Sequence, residues 1–414
     1  MTQPLTSETL VPHPDVAYRR LIVASGFAMI VFGACVAIPS VCQDAIGREF
    51  RLDFEQRGLL TTARMGALLV SLLLVGYLGD RRGKRGFLVW GLVVIGAGLA
   101  ASATAGGYRT LLGAFALSGA GKGVMEALVN PLVAQLSPRG SARALNVING
   151  LFSVGLVIAA IGAGEILQAG ASWRVPFWVW IAPALVCASL FLTRGYPAVE
   201  MTETHEAVAA RFLRRPLFWL LFAGMVLGGG CEAGLTAWGP NFVEHELGAS
   251  ARSGAWVMVL YGVCMALGRF ASGGLVARIA PLRLMVGSAV ACALATVALR
   301  FVGSLWSAWT LFALGGLFVA CFWPTILSVA SDELAAGSAH LFSLLAAAGI
   351  GGCVVFPWAM GALGDAFGLR NGVLILPASM VAQVAVMGVA ARLVGKDGKA
   401  TSGGSAWQRT DGSS

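Results

Sequence analysis

Six ionisable side chains lie within long apolar stretches of this sequence, where an unpaired charge is costly. They are Arg64, Lys122, Glu126, Glu165, Glu232 and Arg269. Charged groups inside a bilayer are rare unless they are paired, hydrated or functional, so each of these is a candidate for binding a solute or a proton. Glu126 is the main candidate, because it lies near the middle of its apolar stretch and Asn130 lies one helical turn after it. The alternative is that Lys122 and Glu126, at i,i+4 spacing, form a static pair that only neutralises itself.

Arg64 has no carboxylate at helical spacing within its own apolar stretch. Together with Lys122 it could therefore bind a carboxylate or phosphate of a substrate, if both face a cavity. The competing interpretation, which we favour at this point, is that Arg64 lies about two turns inside its helix and extends outward to the membrane surface.

The other three charges have more local interpretations. Arg269 could pair with Asp80 or Glu126 across the molecule and so take part in a conformational change, or it could anchor a helix end. Glu165 is expected to pair locally with Arg174. Glu232 precedes Trp238 by six residues and is expected at the mouth of a cavity.

These charges stand out because the chain as a whole is apolar. Of its 414 residues, 57% are hydrophobic and only 12% are charged, and the mean hydropathy is +0.79. Soluble domains carry roughly a quarter charged residues, so a soluble enzyme, a nucleic-acid-binding protein and a disordered chain are excluded. No grouping of nucleophile, base and orienting residue occurs outside the apolar stretches, and no nucleotide-binding lysine motif occurs. We expect neither an enzyme nor a cofactor or metal.

The apolar stretches are about twenty residues long, which predicts membrane-spanning helices and not the shorter alternating strands of a barrel. Twelve spans are predicted, near residues 20–44, 58–79, 86–105, 110–136, 144–168, 175–194, 216–239, 254–278, 282–302, 307–330, 340–364 and 371–393. If both termini are cytoplasmic, 18 Lys and Arg residues fall inside, eight outside and three within spans. This distribution predicts that both termini are cytoplasmic.

The spans divide into two halves. We expect a cytoplasmic segment at 1–18, a six-helix bundle at 19–194, a cytoplasmic linker at 195–215, a second six-helix bundle at 216–393 and a disordered cytoplasmic tail at 394–414. A faint internal repeat supports the division, because similar motifs recur at offsets of 193–197 residues. The recurring positions are Gly76 with Gly273, Arg174 with Arg370, and Asn130-Pro131 with Trp323-Pro324. Such repeats are typical of transporters whose halves move against each other.

The loop after the second span carries the most specific motif. Gly76-x-x-x-Asp80-Arg81-x-Gly83-x-Arg85 resembles the loop signature of the major facilitator superfamily and lies where that family places it. The resemblance implies an all-α membrane fold of twelve helices in two bundles, with Gly76, Asp80, Arg81, Gly83 and Arg85 acting in gating. For Arg85 and its basic neighbours the alternative is that they only set the topology.

Within that superfamily, other segments resemble the fucose permease-type sugar:proton symporters. The fourth span has Gly119-x-Gly121-x-Gly123-x-x-Glu126-x-x-x-Asn130-Pro131, and further matching positions are Asn149, Glu232, Trp238 and Trp323. The resemblance implies that Glu126 carries the coupling proton and that these positions contact the substrate, the indoles stacking on a sugar ring. Asn149 replaces a glutamine of the family, and the acidic residue of the first span is replaced, with Asp44 about one turn later.

The sequence thus predicts a monomeric secondary transporter of the inner membrane that moves a small polar solute, above all a sugar, by alternating access with a proton. A second hypothesis keeps the fold but assigns an organic anion, bound by Arg64 and Lys122, or the export of amphiphilic compounds. A third, from another class, is a non-transporting membrane receptor or assembly factor. The expected partners are the small-molecule substrate, the proton and the lipid bilayer, with no nucleic acid.

Overall fold

The computed structural model describes residues 14–137, 141–193, 195–197, 212–276, 278–334 and 339–404. These residues form fifteen α-helices, one short 3-10 helix and no strands. The helices are α1 (Pro14–Val41), α2 (Gln43–Phe50), α3 (Phe54–Arg82), α4 (Lys84–Ala103), α5 (Tyr108–Leu136), α6 (Ser141–Gln168), α7 (Arg174–Leu190), α8 (Pro216–Leu247), α9 (Ala251–Leu275), α10 (Pro281–Ala298), α11 (Leu305–Val319), α12 (Phe322–Glu333), α13 (Ala339–Phe367), α14 (Leu369–Gly372) and α15 (Ile375–Gly404).

The predicted twelve spans are confirmed. Eleven segments are long and apolar enough to cross a bilayer, and α7 supplies a shorter twelfth. The tenth span, Leu305–Glu333, consists of α11 and α12, and the twelfth, Leu369–Val394, of α14 and α15. The seventh span differs from its predicted length, because α8 continues through Pro240 to Leu247. The last described residues, 395–404, continue α15 into the predicted tail.

Each half has its own apolar core. One core is formed mainly by residues of α1 to α7, with three residues of α9, and the other mainly by residues of α8 to α15. Within the first half, glycines allow α5 to lie directly on α3. A Cβ at Gly119 would lie 2.0 Å from the backbone oxygen of Arg64, and one at Gly123 would lie 2.3 Å from that of Leu68. This close approach places the polar face of α5 beside α3 and the centre of the molecule.

The internal repeat is visible in two matching ion pairs. Arg174 binds Glu49 with a shortest N–O distance of 2.7 Å, and Arg370 binds Glu246 at 2.8 Å. Each arginine also donates to a backbone carbonyl oxygen, that of Ala105 at 3.0 Å and that of Val302 at 2.8 Å. The equivalent residues are 196 or 197 positions apart, so in each half the segment beyond the first span, α2 or the last part of α8, is joined to the start of the last span in the same way.

The two bundles are joined near the ends of α3, α6, α8 and α13, which we call the closed side. The opposite side, where α7 ends and α8 begins, is called the linker side. On the closed side the carboxylate of Asp365 accepts hydrogen bonds from the backbone nitrogens of Phe54 (2.9 Å) and Glu55 (2.7 Å). Glu165 binds Arg252 at 2.5 Å. The side-chain hydrogen bonds that we describe between the bundles lie in this half of the molecule.

Candidate functional site

Five charged side chains from both bundles lie at the centre of the molecule, and we call them the central charge cluster. They are Arg64 on α3, Lys122 and Glu126 on α5, Glu232 on α8 and Arg269 on α9. Glu126 is half-buried and lies within electrostatic range of Lys122 in its own bundle and of Arg269 and Glu232 in the other.

Lys122 is completely buried. Its Nζ lies 4.2 Å from the centre of the Phe32 ring and has no hydrogen-bond partner among the described residues. No ion pair joins it to Glu126 within 4.0 Å in the described part of the chain. The static pair proposed as an alternative is therefore not formed. Phe32 in turn packs on Phe152 of α6, with 5.7 Å between the ring centres.

The outward orientation favoured for Arg64 is wrong. The side chain is 2% exposed and its Nη1 donates to the backbone oxygen of Cys35 on α1 at 2.5 Å, while Nε has no partner among the described residues. The physical reason is that α5 lies directly on α3 here, where a Cβ at Gly119 would come within 2.0 Å of the Arg64 backbone oxygen, and that the guanidinium is bound to α1. The side chain is therefore enclosed by protein, within electrostatic range of Lys122.

Arg269 and Glu232 pair with each other across α8 and α9, with 3.9 Å between Nη2 and Oε1. No ion pair within 4.0 Å joins Arg269 to Glu126, one of its two expected partners, in the described part of the chain. The side chain of Asp80, the other expected partner, lies outside what the structure describes. The predicted seventh span, 216–239, would place Glu232 near its end. Because α8 extends to Leu247, Glu232 instead lies in the middle of that helix. Glu165 likewise pairs with Arg252 of the other bundle and not with Arg174, which is bound to Glu49.

Two of the predicted polar positions are joined directly. The Asn149 side chain on α6 donates to Oδ1 of Asn130 on α5 at 3.3 Å and to the backbone oxygen of Leu145 at 2.9 Å. Asn130 is one turn beyond Glu126 on α5, so this amide pair extends the polar face of the central charge cluster.

The two tryptophans predicted to contact substrate have different environments. Trp323 on α12 is half-buried and packs on Gly349 and on the small apolar cluster of Leu68 and Ile350 between the bundles. Trp238 is 1% exposed, and its Nε1 donates to the backbone oxygen of Pro357 at 2.9 Å. In this conformation the Trp238 indole helps to seal the closed side.

The loop motif is described only in part. Residues 76–82 form the end of α3, but the side chains of Gly76, Asp80 and Arg81 lie outside what the structure describes, so their gating roles stay predictions. Gly83 has a φ of +79° and separates α3 from α4. Arg85 donates to the backbone oxygen of Leu192 at 2.6 Å, which fastens α4 to the end of α7 within one bundle.

Sequence reasoning missed the polar contacts of the closed side. Asp365 caps the N-terminus of α3 from the other bundle, and Asp44 binds Arg57 at 3.2 Å. Arg57 precedes an apolar stretch and was counted only as a topology signal. On the same side, the hydrogen bonds from Arg174 hold the pKa of Glu49 below its ordinary value. The sequence did contain one signal for these ion pairs. Glu49 and Glu246 are separated by nearly the same number of residues as Arg174 and Arg370, to within one residue.

Twelve spans in two related bundles around a central set of charges define a polytopic membrane transporter, not an enzyme. The chain belongs to the Major Facilitator Superfamily, whose sequence profile matches residues 21–337 and 240–409.

Three relatives bear on the site. The chain is 25% identical to the cis,cis-muconate transport protein of Acinetobacter baylyi over 59% of this chain and 63% of that protein, so it spans less than two thirds of that relative. It is 26% identical to the 3-(3-hydroxy-phenyl)propionate transporter of Escherichia coli, over 85% of this chain and 86% of that protein. It is 24% identical to the L-fucose-proton symporter of E. coli, over 80% of this chain and 84% of that protein. A crystal structure of the E. coli fucose:proton symporter covers 88% of this chain and 98% of that chain with a TM-score of 0.61.

Proposed function

We propose that this protein is a proton-coupled secondary transporter of a small organic anion, with a carboxylate as the group that is recognised. The observation that carries the proposal is the pair of buried cations, Arg64 and Lys122. They lie within electrostatic range of each other, and each has a donor nitrogen that no described residue satisfies. A buried ammonium without a partner is costly. A substrate carboxylate would supply the missing acceptor, and a guanidinium is well suited to bind it.

The charge balance of the central charge cluster supports an anion. When all five groups are ionised, three cations face two carboxylates, which leaves one positive charge. A bound monoanion would neutralise it. If Glu126 also takes up a proton, the site would accommodate a second negative charge, so proton and anion would be carried together. The names of two relatives, which refer to muconate and to a phenylpropionate, are those of carboxylate anions.

The orientation of the two sides in the membrane follows from the topology that the charge distribution favours. The linker side would face the cytoplasm and the closed side the exterior, with both termini inside, in the inner membrane. The contacts of the closed side then correspond to a conformation in which access from outside is shut. Alternation would require those contacts to break while the linker side closes.

A neutral sugar is the second candidate. The Asn149–Asn130 amide pair offers donors and acceptors suited to hydroxyl groups, and Trp323 offers an apolar ring face. The similarity to the fucose–proton symporter favours the same class. A neutral sugar does not account for the buried Lys122 Nζ, which has no hydrogen-bond partner among the described residues.

The test is uptake into proteoliposomes under an imposed pH gradient, with neutral hexoses, sugar acids, and aliphatic and aromatic carboxylates as solutes. We expect carboxylates to accumulate. Glu126→Gln should keep counterflow exchange but lose gradient-driven accumulation, and Lys122→Gln should lose carboxylate binding. Arg109→Gln, an exposed cation on the same helix, is the matched control and should behave like the wild type. Accumulation of a neutral hexose alone, unaffected by Lys122→Gln, would overturn the anion assignment in favour of a sugar.

A further inference from the structure

A second group of charges lies on the closed side, between α2, α3 and α8, away from the central charge cluster. Asp44 is its centre. Its carboxylate is bound by Arg48 at 2.5 Å and by Arg57 at 3.2 Å, and Asn241 of the other bundle donates to it at 3.4 Å. Both arginines are thus engaged with Asp44, and the amide joins the two bundles.

Glu244 completes this group but has no cation of its own. It is 9% exposed, and its Oε1 is buried without a hydrogen-bond partner among the described residues. No ion pair within 4.0 Å involves it in the described part of the chain, although Asp44, Arg48 and Arg57 all lie within electrostatic range. Asn241, three residues earlier on the same helix, has a buried Oδ1 that also lacks a donor. Two acceptors on one face of α8 are therefore without a hydrogen.

The internal repeat shows that the two halves place opposite charges at the position of Glu244. At an offset of 197 residues, Gly47 corresponds to Glu244 and Arg57 corresponds to Gly254. In the first half, the Arg57 guanidinium lies over Gly47, where a Cβ would come within 2.2 Å of it. In the second half the roles are exchanged, because Oε1 of Glu244 lies over Gly254, 2.3 Å from where a Cβ would be. One half fills this slot with a cation and the other with a carboxylate.

We propose that Glu244 is a proton-binding site of the closed side, distinct from Glu126. Glu244 carries a proton while the bundles are in contact on that side and releases it when they separate. In the closed state an ionised Glu244 would be buried beside Asp44 without a cation or a donor, which is unfavourable. A proton removes the like charge and supplies a hydrogen for the unsatisfied oxygens. Separation of the bundles would hydrate the carboxylate and remove the need for the proton.

The sign of the pH dependence follows from the groups around Glu244. Asp44 is held by Arg48 and Arg57, and Glu246 on the next part of α8 is held by Arg370 and His245. These carboxylates are already paired, so Glu244 is the carboxylate whose charge changes on closing. Low pH should favour contact on the closed side and high pH should favour separation. One linked proton changes the ratio of the two states by up to about tenfold per pH unit.

The test measures the distance across the closed side by pulsed electron resonance in the full chain, reconstituted in lipid nanodiscs without substrate. Spin labels are placed at Ala171→Cys and Gly303→Cys, two exposed positions on the closed side of the two bundles, in a background whose eight native cysteines are replaced by serine or alanine. We expect the separated population of the otherwise wild-type protein to rise with pH. Glu244→Gln should stay in contact at all pH values and lose the shift.

Three variants make the outcome specific. Glu49→Gln removes another carboxylate of the closed side, one that is paired within its own bundle, and should keep the pH shift. Glu126→Gln should also keep it, so a failure of the proposed coupling role would not affect this result. Glu244→Asp retains a titrating group and should keep the shift if Glu244→Gln fails to fold. An unchanged pH shift in Glu244→Gln, or its loss in Glu126→Gln alone, would overturn the proposal.

Discussion

At the scale of single residues, the notable feature is that the most deeply buried charges are the least satisfied. Lys122 and Arg64 are almost inaccessible, yet each has a nitrogen without a hydrogen-bond partner among the described residues. Exposed pairs such as Glu165–Arg252 are fully formed. Folding alone would favour the reverse, because a buried polar group without a partner destabilises the protein. Such a deficit at the centre of a transporter is consistent with a site that is completed by its substrate.

This view predicts that Lys122 lowers stability in the absence of substrate. Lys122→Met keeps the length of the side chain and removes the desolvated charge, so the free energy of unfolding should rise by about 1–3 kcal/mol, while carboxylate uptake is lost. Thermal unfolding in detergent, followed by tryptophan fluorescence, measures the first effect. Arg109→Met, on the exposed part of the same helix, should change neither. A less stable Lys122→Met would mean that the contact with Phe32 already satisfies the ammonium.

The identity of these residues was predictable from sequence, but their partners were not. Glu126, Lys122 and Arg64 stand out because a charge interrupts an apolar stretch. Which way Arg64 points depends on α5 approaching α3 at Gly119, and a helical period in one segment does not reveal its neighbour. The same applies to Glu165, whose partner Arg252 is on the other bundle. Pairing across the two halves is set by their relative placement, which local sequence does not encode.

At the scale of elements, the helix ends of the closed side act as the contacts between bundles. The N-terminus of α3 carries unpaired backbone N–H groups and a partial positive charge. Asp365 on α13 satisfies two of these groups, and Trp358 of the same helix donates to the Glu55 side chain at 2.9 Å. Thr62, further along α3, donates to the backbone oxygen of Val354 at 2.6 Å. α3 and α13 are thus joined over two turns of helix.

Removing the charge of Asp365 should therefore loosen the closed side without unfolding either bundle. In Asp365→Asn one acceptor oxygen and the interaction with the helix dipole are lost, which is worth about 1–2 kcal/mol. The separated population measured with labels at positions 171 and 303 should increase by roughly five- to thirtyfold relative to the contact population. Asp332→Asn, on α12 near the linker side, is the control and should leave the distance unchanged. An unchanged distance in Asp365→Asn would mean that the apolar contacts alone hold the bundles together.

The elements themselves follow closely from the sequence. Length and hydropathy give the twelve spans, because a helix must cross the whole apolar layer. The extension of α8 to Leu247 was missed, since Asn241, Glu244 and His245 end the apolar pattern. That last part of α8 packs against α2 and α9, so polar residues are tolerated there. The exceptions to the hydropathy pattern are the positions where the two bundles meet.

At the scale of the whole molecule, the internal repeat preserves its structural pairs and varies its functional positions. The Glu49–Arg174 and Glu246–Arg370 pairs occupy equivalent places in the two halves. The exchanged slots at Gly47 and Gly254 are equivalent in backbone but opposite in charge. Two halves with the same framework can rock against each other, and differences such as Glu244 would make their contact respond to protons.

The matched pairs predict matched effects on stability. Glu49→Gln and Glu246→Gln should each lower the free energy of unfolding by a small and similar amount, below about 1 kcal/mol for Glu49 because it is partly exposed and screened, with substrate affinity unchanged. The lowered pKa of Glu49 means that its pair stabilises the fold above the ordinary pKa of glutamate, about 4.3, and that this contribution disappears as the pH falls through the lower pKa of the folded state.

Thermal unfolding of the wild type and of Glu49→Gln, measured in detergent from neutral to acidic pH, should therefore converge in acid. If Glu49→Gln instead changed transport while leaving stability intact, the pair would belong to the moving contacts of the closed side and not to the framework of one bundle. Because the hydrogen bonds of Arg174 to described residues all stay within one half, to Glu49 on α2 and to Ala105, the two halves should keep their separate frameworks in every conformation of the cycle.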